Sequence, residues 1–131
     1  MSNNVLMPAE ARASAALIKV APGRVSGNHV FLTGMTGSLA DGTMPDTLDA
    51  QFHQAFAKIG AVLAEADLSF DAIVEMTSYH VGLREHFDQF NTVRLGYVQD
   101  PFPAWTAVEV AGLRREGAVV EIKVVAEIGI E

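Results

Sequence analysis

Three side chains in the C-terminal half of the chain are suited to chemistry on a small ligand. Glu121 can accept a proton from water, Trp105 can stack on a ligand or donate one hydrogen bond, and Asn91 can orient a ligand through its amide. Trp105 follows Pro101 and Pro103, which end a predicted helix and force an extended segment. These residue types allow a ligand cleft around Trp105 in which Glu121 handles water.

Each of these residues also has an ordinary structural explanation. Strand alternation places Glu121 on the same face as Lys123, so a salt-bridged surface carboxylate would explain it. A tryptophan at the start of a strand is common in a core or an interface, although Trp105 beside the small Ala107 would also form a pocket wall. A buried amide that bonds to backbone would explain Asn91. None of the three defines a function by itself.

The motifs of several large enzyme classes are absent from the sequence. It contains no GxGxxG, GxxxxGK, GxSxG or HExxH string, so dinucleotide-binding, P-loop, α/β-hydrolase and zincin sites lack sequence support. It has no cysteine, and no two of its four histidines have the i, i+4 spacing of a helical His–His metal site: His29, His53, His80 and His86. The sequence predicts neither a metal site nor a cofactor.

Composition indicates one globular domain with an acidic surface. Half of the 131 residues are hydrophobic, and nine Lys and Arg against 16 Asp and Glu give a net charge of −7. An acidic protein repels phosphate backbones, which disfavours nucleic-acid binding. The N-terminus has no basic segment followed by an apolar core, and no apolar run approaches the roughly 18 residues of a membrane span. We expect a single domain over residues 1–131, located in the cytoplasm, without a membrane partner.

Hydrophobic periodicity predicts an α+β fold after a loosely held arm at residues 1–15. The predicted elements are strands at 17–21 and 25–33, a loop at 34–42, a helix at 47–66, a strand at 73–81, a helix at 84–98, and strands at 106–110 and 118–128. We expect the first two and the last two strands to form hairpins. The economical arrangement is one mixed sheet with both helices on one face.

The last predicted strand is apolar on one face and half apolar on the other. Even-numbered positions from 120 to 126 are all apolar and are predicted to face the helices. The opposite face would then expose an apolar patch made of Val119, Val125, Ala107 and Trp105. Such a patch commonly marks an oligomer interface or a groove, so we expect the chain to form a homo-oligomer.

Five segments occur in an order and spacing typical of a known family. They are VFLTGM at 30–35, which contains the Thr33-Gly34 pair, AQ at 50–51 with IGAVL at 59–63, FDQFN at 87–91, FPAWTAVEVA at 102–111, and VEI at 120–122. Together they resemble the Rid family of reactive-intermediate deaminases, also called the YjgF family and often labelled endoribonuclease L-PSP. The resemblance covers nearly the whole chain.

The resemblance implies a chorismate-mutase-like α+β fold, with a mixed six-stranded sheet and two helices on one face. It also implies a homotrimer with three clefts between neighbouring subunits that bind small carboxylated molecules. In deaminating members, an arginine after Pro-Ala holds the substrate carboxylate, and a glutamate on the last strand helps water to attack an imine carbon. The resemblance places Glu121 at that glutamate. It places four further residues at ligand-binding positions of the cleft: Thr33, Gly34, Asn91 and Ala107.

Trp105 departs from this pattern, because it stands where the arginine is expected and carries no charge. Losing the charged clamp would cost about 2–5 kcal/mol in carboxylate binding unless another cation replaces it. The candidate cations are Arg84, Arg94, Arg114 and Arg115.

Two functions remain open: an imine or enamine hydrolase with altered substrate preference, and a non-catalytic metabolite-binding or regulatory trimer. Ribonuclease activity is disfavoured by the acidic charge.

Overall fold

The computed structural model describes residues 4–129 as three α-helices, two short 3₁₀ turns and seven strands. The helices are α1 (Arg12–Ile18), α2 (Leu48–Ala64) and α3 (Leu83–Tyr97), and the 3₁₀ turns lie at Ala9–Ala11 and Phe70–Ala72. The strands are β1 (Val5–Leu6), β2 (Gly23–Ser26), β3 (His29–Leu32), β4 (Met35–Thr36), β5 (Ile73–His80), β6 (Ala104–Glu109) and β7 (Val120–Glu127).

All seven strands belong to one mixed sheet. Its order is β1-β2-β3-β7-β5-β6, and β4 pairs with β7 beyond the end of β3. β5 and β6 are parallel, because α3 carries the chain across between them, and the other pairings within residues 4–129 are antiparallel. The predicted α+β architecture with a mixed sheet is confirmed. The two-residue strands β1 and β4 add to it in segments where the sequence predicts an arm and a loop.

The strand predicted at 17–21 is wrong. Residues 12–18 form α1, which ends at Lys19 with a left-handed φ of 60°. Three alanines favour the helix here and outweigh the β-branched residues that follow them. The first hairpin instead joins β2 and β3 through Gly27 and Asn28. Gly27 has a φ of 59°, which suits the first position of a two-residue hairpin turn.

The predicted hairpin between the last two strands is also wrong, because β5 lies between β6 and β7. β7 pairs with β5 along one edge and with β3 and β4 along the other. Its inward-facing side chains are all at most 1% exposed: Val120, Ile122, Val124 and Ala126. A strand buried to this extent needs partners on both edges, since an edge position would leave a row of backbone groups unpaired.

The core lies between the sheet and the helices α2 and α3. Phe52 and Phe56 of α2 contact Phe90 of α3, with ring centroids 5.2 and 5.9 Å apart. α2 begins after Thr47, whose Oγ1 accepts a hydrogen bond of 3.1 Å from the Ala50 backbone N–H. These contacts hold the two helices together over one face of the sheet.

A chain of buried polar side chains runs from β5 to α3. His80 contacts Ser78 Oγ through Nε2 at 2.8 Å and His86 Nε2 through Nδ1 at 3.0 Å. Ser78 and His80 are fully buried, and His86 is 5% exposed. Burial, helped by the neighbouring His86, lowers the pKa of His80 to about 4, against a partial opposing effect of Glu109. Burial also lowers the pKa of His86. Both rings are therefore neutral at physiological pH.

This burial makes stability depend on pH in a defined direction. In the unfolded chain His80 binds a proton near pH 6.5, whereas in the native protein it stays neutral down to about pH 4. The stability that His80 contributes is therefore complete above about pH 6.5 and is lost as the pH falls toward 4. We expect the free energy of unfolding to fall by on the order of 2 kcal/mol between about pH 7 and about pH 4 through this residue.

Urea unfolding of the wild type and of His80→Gln at the two pH values measures the effect. His29→Gln, at an exposed position of β3, is the matched control. The wild type and the control should lose more stability on acidification than His80→Gln. An equal loss in all three proteins would contradict the role assigned to His80.

Candidate functional site

The junction between β3 and β4 is irregular where it passes Glu121. β3 leaves β7 after Phe31, which lies opposite Val125, and β4 returns with Met35 opposite Ile122. The three residues 32–34 therefore lie opposite only two residues of β7, at positions 123 and 124. The junction thus contains one extra residue, in the manner of a β-bulge. The predicted ligand-binding residues Thr33 and Gly34 are at this point, and the Thr33 backbone N–H is anchored by a hydrogen bond of 2.9 Å to the Pro22 carbonyl oxygen.

Gly34 and Glu121 are in direct contact. A methyl group added at Gly34 would overlap the Glu121 carboxylate, so only glycine leaves the space that this side chain occupies. Glu121 is half-buried. Among residues 4–129, no Lys, Arg or His nitrogen lies within 4.0 Å of its carboxylate, so the structure lacks the predicted alternative of a salt bridge with Lys123. We call Thr33, Gly34 and Glu121 the glutamate cluster.

Lys58 of α2 is a nearby cation that sequence reasoning missed. Its Nζ donates hydrogen bonds to Ser38 Oγ at 2.9 Å and to the Ser38 carbonyl oxygen at 3.2 Å. Burial and the charge of Arg115 lower the pKa of Lys58 to about 8, while the charge of Glu121 acts in the opposite direction. Its spacing places Lys58 among ordinary polar residues of an amphipathic helix, so no sequence pattern singles it out.

Trp105 and Ala107 lie on the helix-covered face of the sheet, and the expectation that they contribute to the open face is wrong. In the parallel β5–β6 ladder, Trp105 is in register with Met76 and Ala107 with Ser78. Met76 and Ser78 are fully buried under the helices. Side chains in register on adjacent strands share a face, so Trp105 and Ala107 face α3. The prediction went wrong because it placed β6 next to β7 rather than β5.

The indole of Trp105 is in contact with Ser78, Phe87 and Arg94. Its Nε1–H donates a hydrogen bond of 2.9 Å to Ser78 Oγ, which ties it to the buried histidine chain. The Phe87 ring lies nearly parallel to it, at 7° and 5.8 Å between centroids. The Arg94 guanidinium carbon lies 4.1 Å from its centroid. Because Phe87 and Arg94 are seven residues apart, they lie on one side of α3. The indole donor is therefore already used within the chain.

Asn91 lies on the same side of α3 and orients Arg94. Its Oδ1 accepts a hydrogen bond of 2.9 Å from Arg94 Nε, which differs from the backbone bonding that a buried amide would favour. Burial lowers the pKa of Arg94, which is only partly exposed. Among the four arginines left open by the sequence, Arg94 is the one in contact with Trp105. We call Asn91, Arg94, Trp105 and Ala107 the indole cluster.

One protomer does not bring the two clusters together. Glu121 points to the open face of the sheet, whereas Trp105 points to the helix-covered face. Their strands are two positions apart in the sheet, or about 10 Å.

A shallow depression of about 510 Å³ at the start of α3 contains neither cluster, and is lined by Leu83, Arg84, Glu85 and Glu109. Its Glu109 accepts hydrogen bonds from the backbone N–H groups at positions 82 and 83, and so caps α3.

Residues 4–129 contain no group of three or more His, Cys, Asp or Glu side chains placed to hold a metal ion. None of the helices in this range combines the length and the apolar character needed to cross a bilayer.

Comparisons with known proteins agree on a family. The family model described as Endoribonuclease L-PSP matches residues 10–128. The RutC family protein YjgH of Escherichia coli is 38% identical over 104 residues, which are 79% of this chain and 78% of that protein. AldR of Lactococcus lactis, whose name describes a proposed regulator, is 35% identical over 83 residues, or 63% of this chain and 64% of that protein.

Solved structures extend the match to the whole fold. A structure of protein YjgH superposes with a TM-score of 0.88 and 34% identity, covering 97% of both chains. RidA from the Antarctic bacterium Psychrobacter sp. PAMC 21119 superposes with a TM-score of 0.77 and 29% identity, covering 83% of this chain and 88% of that one. By sequence and by fold, the chain belongs to the Rid/YjgF family.

Proposed function

We propose that the protein is an imine or enamine hydrolase that works in clefts between the subunits of a homotrimer. In this assembly the glutamate cluster of one subunit faces the indole cluster of the next. The observation that carries the proposal is the Glu121 carboxylate, which is half-buried against Gly34 and has no cation within 4.0 Å in the described part of the chain. The placement of the two clusters on opposite faces of one sheet supports a site shared between subunits.

The open face of the sheet supports association between copies. Phe31 on β3 is 46% exposed, and it lies opposite the half-buried Val125 on β7. Thr77 and Tyr79 of β5 share this face and are also only partly buried. A surface of this kind loses apolar contact with water when it packs against a second copy.

The proposed reaction converts an imine and water into a carbonyl compound and ammonia. Glu121 accepts a proton from water while the water oxygen forms a bond to the carbon of the protonated imine. Glu121 then returns this proton to the nitrogen of the resulting carbinolamine. The C–N bond breaks, ammonia leaves, and the hydroxyl group releases its proton to water as the C=O bond forms. An enamine substrate enters this sequence after protonation at carbon gives the imine. The reaction needs no redox partner, because no atom changes its oxidation state.

Replacing Glu121 by Gln tests the general base. We expect Glu121→Gln to lower the rate of ammonia release from amino-acid-derived imines by about 10²- to 10⁴-fold, because the amide cannot accept the proton. The imines are generated in situ by an amino-acid oxidase, and ammonia is measured against the uncatalysed rate. Glu127→Gln, on the same strand and face, is the matched control and should keep wild-type activity. Unchanged activity in Glu121→Gln would remove the role proposed for this carboxylate.

Replacing Gly34 by Ala tests the position of that carboxylate. The added methyl group must displace the Glu121 side chain, so we expect Gly34→Ala to lower kcat while the melting temperature changes little. Gly96→Ala is the control, because a methyl group at this helical position meets nothing within 4 Å. Wild-type kcat in Gly34→Ala would show that the carboxylate position is not critical.

The proposed assembly is tested by a charge on the open face. We expect sedimentation to give a mass of about three chains for the wild type, and smaller species for Phe31→Glu, since a carboxylate at an apolar interface is costly to desolvate. Leu95→Glu, at a similarly exposed apolar position on α3, is the control and should remain a trimer. A monomeric wild type would exclude the composite cleft.

A second candidate is a metabolite-binding or regulatory trimer without catalysis. It is favoured by the absence of an arginine at position 105 and by the relative whose name describes a proposed regulator. This candidate predicts that ligands raise the melting temperature, and that the protein releases no ammonia from any imine of the panel. Ammonia release that depends on Glu121 would exclude it.

A further inference from the structure

The guanidinium of Arg94 is a cation with defined orientation and no acidic partner. Among residues 4–129, no carboxylate lies within 4.0 Å of its nitrogens, and its one hydrogen bond within this range runs from Nε to Asn91 Oδ1. Arg94 is partly buried, and this burial lowers its pKa. A charge partly removed from water is stabilised when an anion pairs with it.

Two contacts fix the direction of this guanidinium. The indole of Trp105 lies against its face at 4.1 Å, and Asn91 holds its Nε edge at 2.9 Å. One face of the guanidinium plane is thereby covered by the indole, and its Nε edge is bound by Asn91. The edge that remains for a ligand is formed by the Nη1 and Nη2 groups. Two parallel N–H donors on one edge match the two oxygens of a carboxylate.

The position of Arg94 in the last turn of α3 does not by itself explain these contacts. A cation near a helix C-terminus is favoured by the helix dipole, but a solvated side chain gains that benefit without being held. Ordering a long arginine side chain costs conformational entropy, which the stacking and the Asn91 hydrogen bond offset. The arrangement resembles a binding group held ready for a ligand.

We infer that Arg94 is the residue that binds the carboxylate of the ligand, through Nη1 and Nη2, with Trp105 as the platform that orients it. The inference rests on the proposed small-molecule cleft and names its anion-binding group. Trp105 does not supply a polar contact to the ligand, because its Nε1–H is used by Ser78. A single planar cation on a chain with a net charge of −7 suits a monocarboxylate better than a phosphate dianion.

The fluorescence of Trp105 reports on this site directly, because the chain contains one tryptophan. The probes are 3-phenylpropanoate and its neutral amide, 3-phenylpropanamide, each titrated into the full chain. We expect the carboxylate to change the emission of the wild type with saturation and to bind more tightly than the amide. Inorganic phosphate is added as a competitor and should not displace the carboxylate at equal concentration.

Three variants test the assignment. Arg94→Gln should weaken binding of the carboxylate by at least about 30-fold and leave binding of the amide unchanged. Arg94→Lys should restore only part of the affinity, because an ammonium group can neither stack on the indole nor form the two parallel hydrogen bonds. Arg84→Gln, on the same helix and outside both clusters, is the matched control and should bind the carboxylate within about twofold of the wild type.

Several outcomes would overturn the inference. They are equal affinity of the wild type and Arg94→Gln for the carboxylate, equal affinity of the wild type for carboxylate and amide, displacement by phosphate, and no emission change at tens of millimolar carboxylate. Failure here is distinguishable from failure of the proposed hydrolase. Glu121-dependent ammonia release without Arg94-dependent binding removes only this inference, and Arg94-dependent binding without ammonia release removes only the hydrolase.

Discussion

The alternation of side chains along β7 is the constraint on which the rest of the structure depends. β7 is paired on both edges, and its inward residues contribute to a core that admits almost no solvent. With Val120 and Ile122 directed into that core, Glu121 can only point to the open face. A slip of one residue would carry the carboxylate into the core, where an unpaired charge costs several kcal/mol. The extra residue at 32–34 then brings Gly34 against it.

The helix-covered face is organised by a second requirement, that buried polar atoms have partners. Ser78 is fully buried at the point where β5 and β6 run in parallel, and it meets this requirement through Trp105 and His80. The indole is thereby held beneath α3, where Phe87 and Arg94 pack against it. The protomer thus carries an acidic group, Glu121, on the open face of the sheet and a cationic group, Arg94, on the helix-covered side.

Much of this molecule is readable from the chain, and the error that affected the candidate site has one physical origin. The helices α2 and α3 follow from apolar residues that recur every three or four positions, which is a local pattern. Which strands are neighbours in a sheet depends on residues far apart in sequence. No local sequence pattern therefore indicates that β7 pairs with β5 rather than with β6. That single error placed Trp105 on the wrong face. The resemblance to a family predicted Glu121 and Gly34 as residues of the cleft. The packing of Arg94 on Trp105 could not be predicted, because it depends on how α3 lies over β6.

The buried polar chain also determines where the protons reside. Indole nitrogen can only donate, so Ser78 accepts from Trp105 and directs its own hydroxyl hydrogen to His80 Nε2. His80 then carries its proton on Nδ1, and donates it to His86 Nε2, which leaves the His86 proton on Nδ1. The opposite order would leave the hydroxyl hydrogen of a fully buried serine without an acceptor. One indole thus selects the tautomers of two imidazoles, and all the dipoles of the chain point from β6 toward the start of α3.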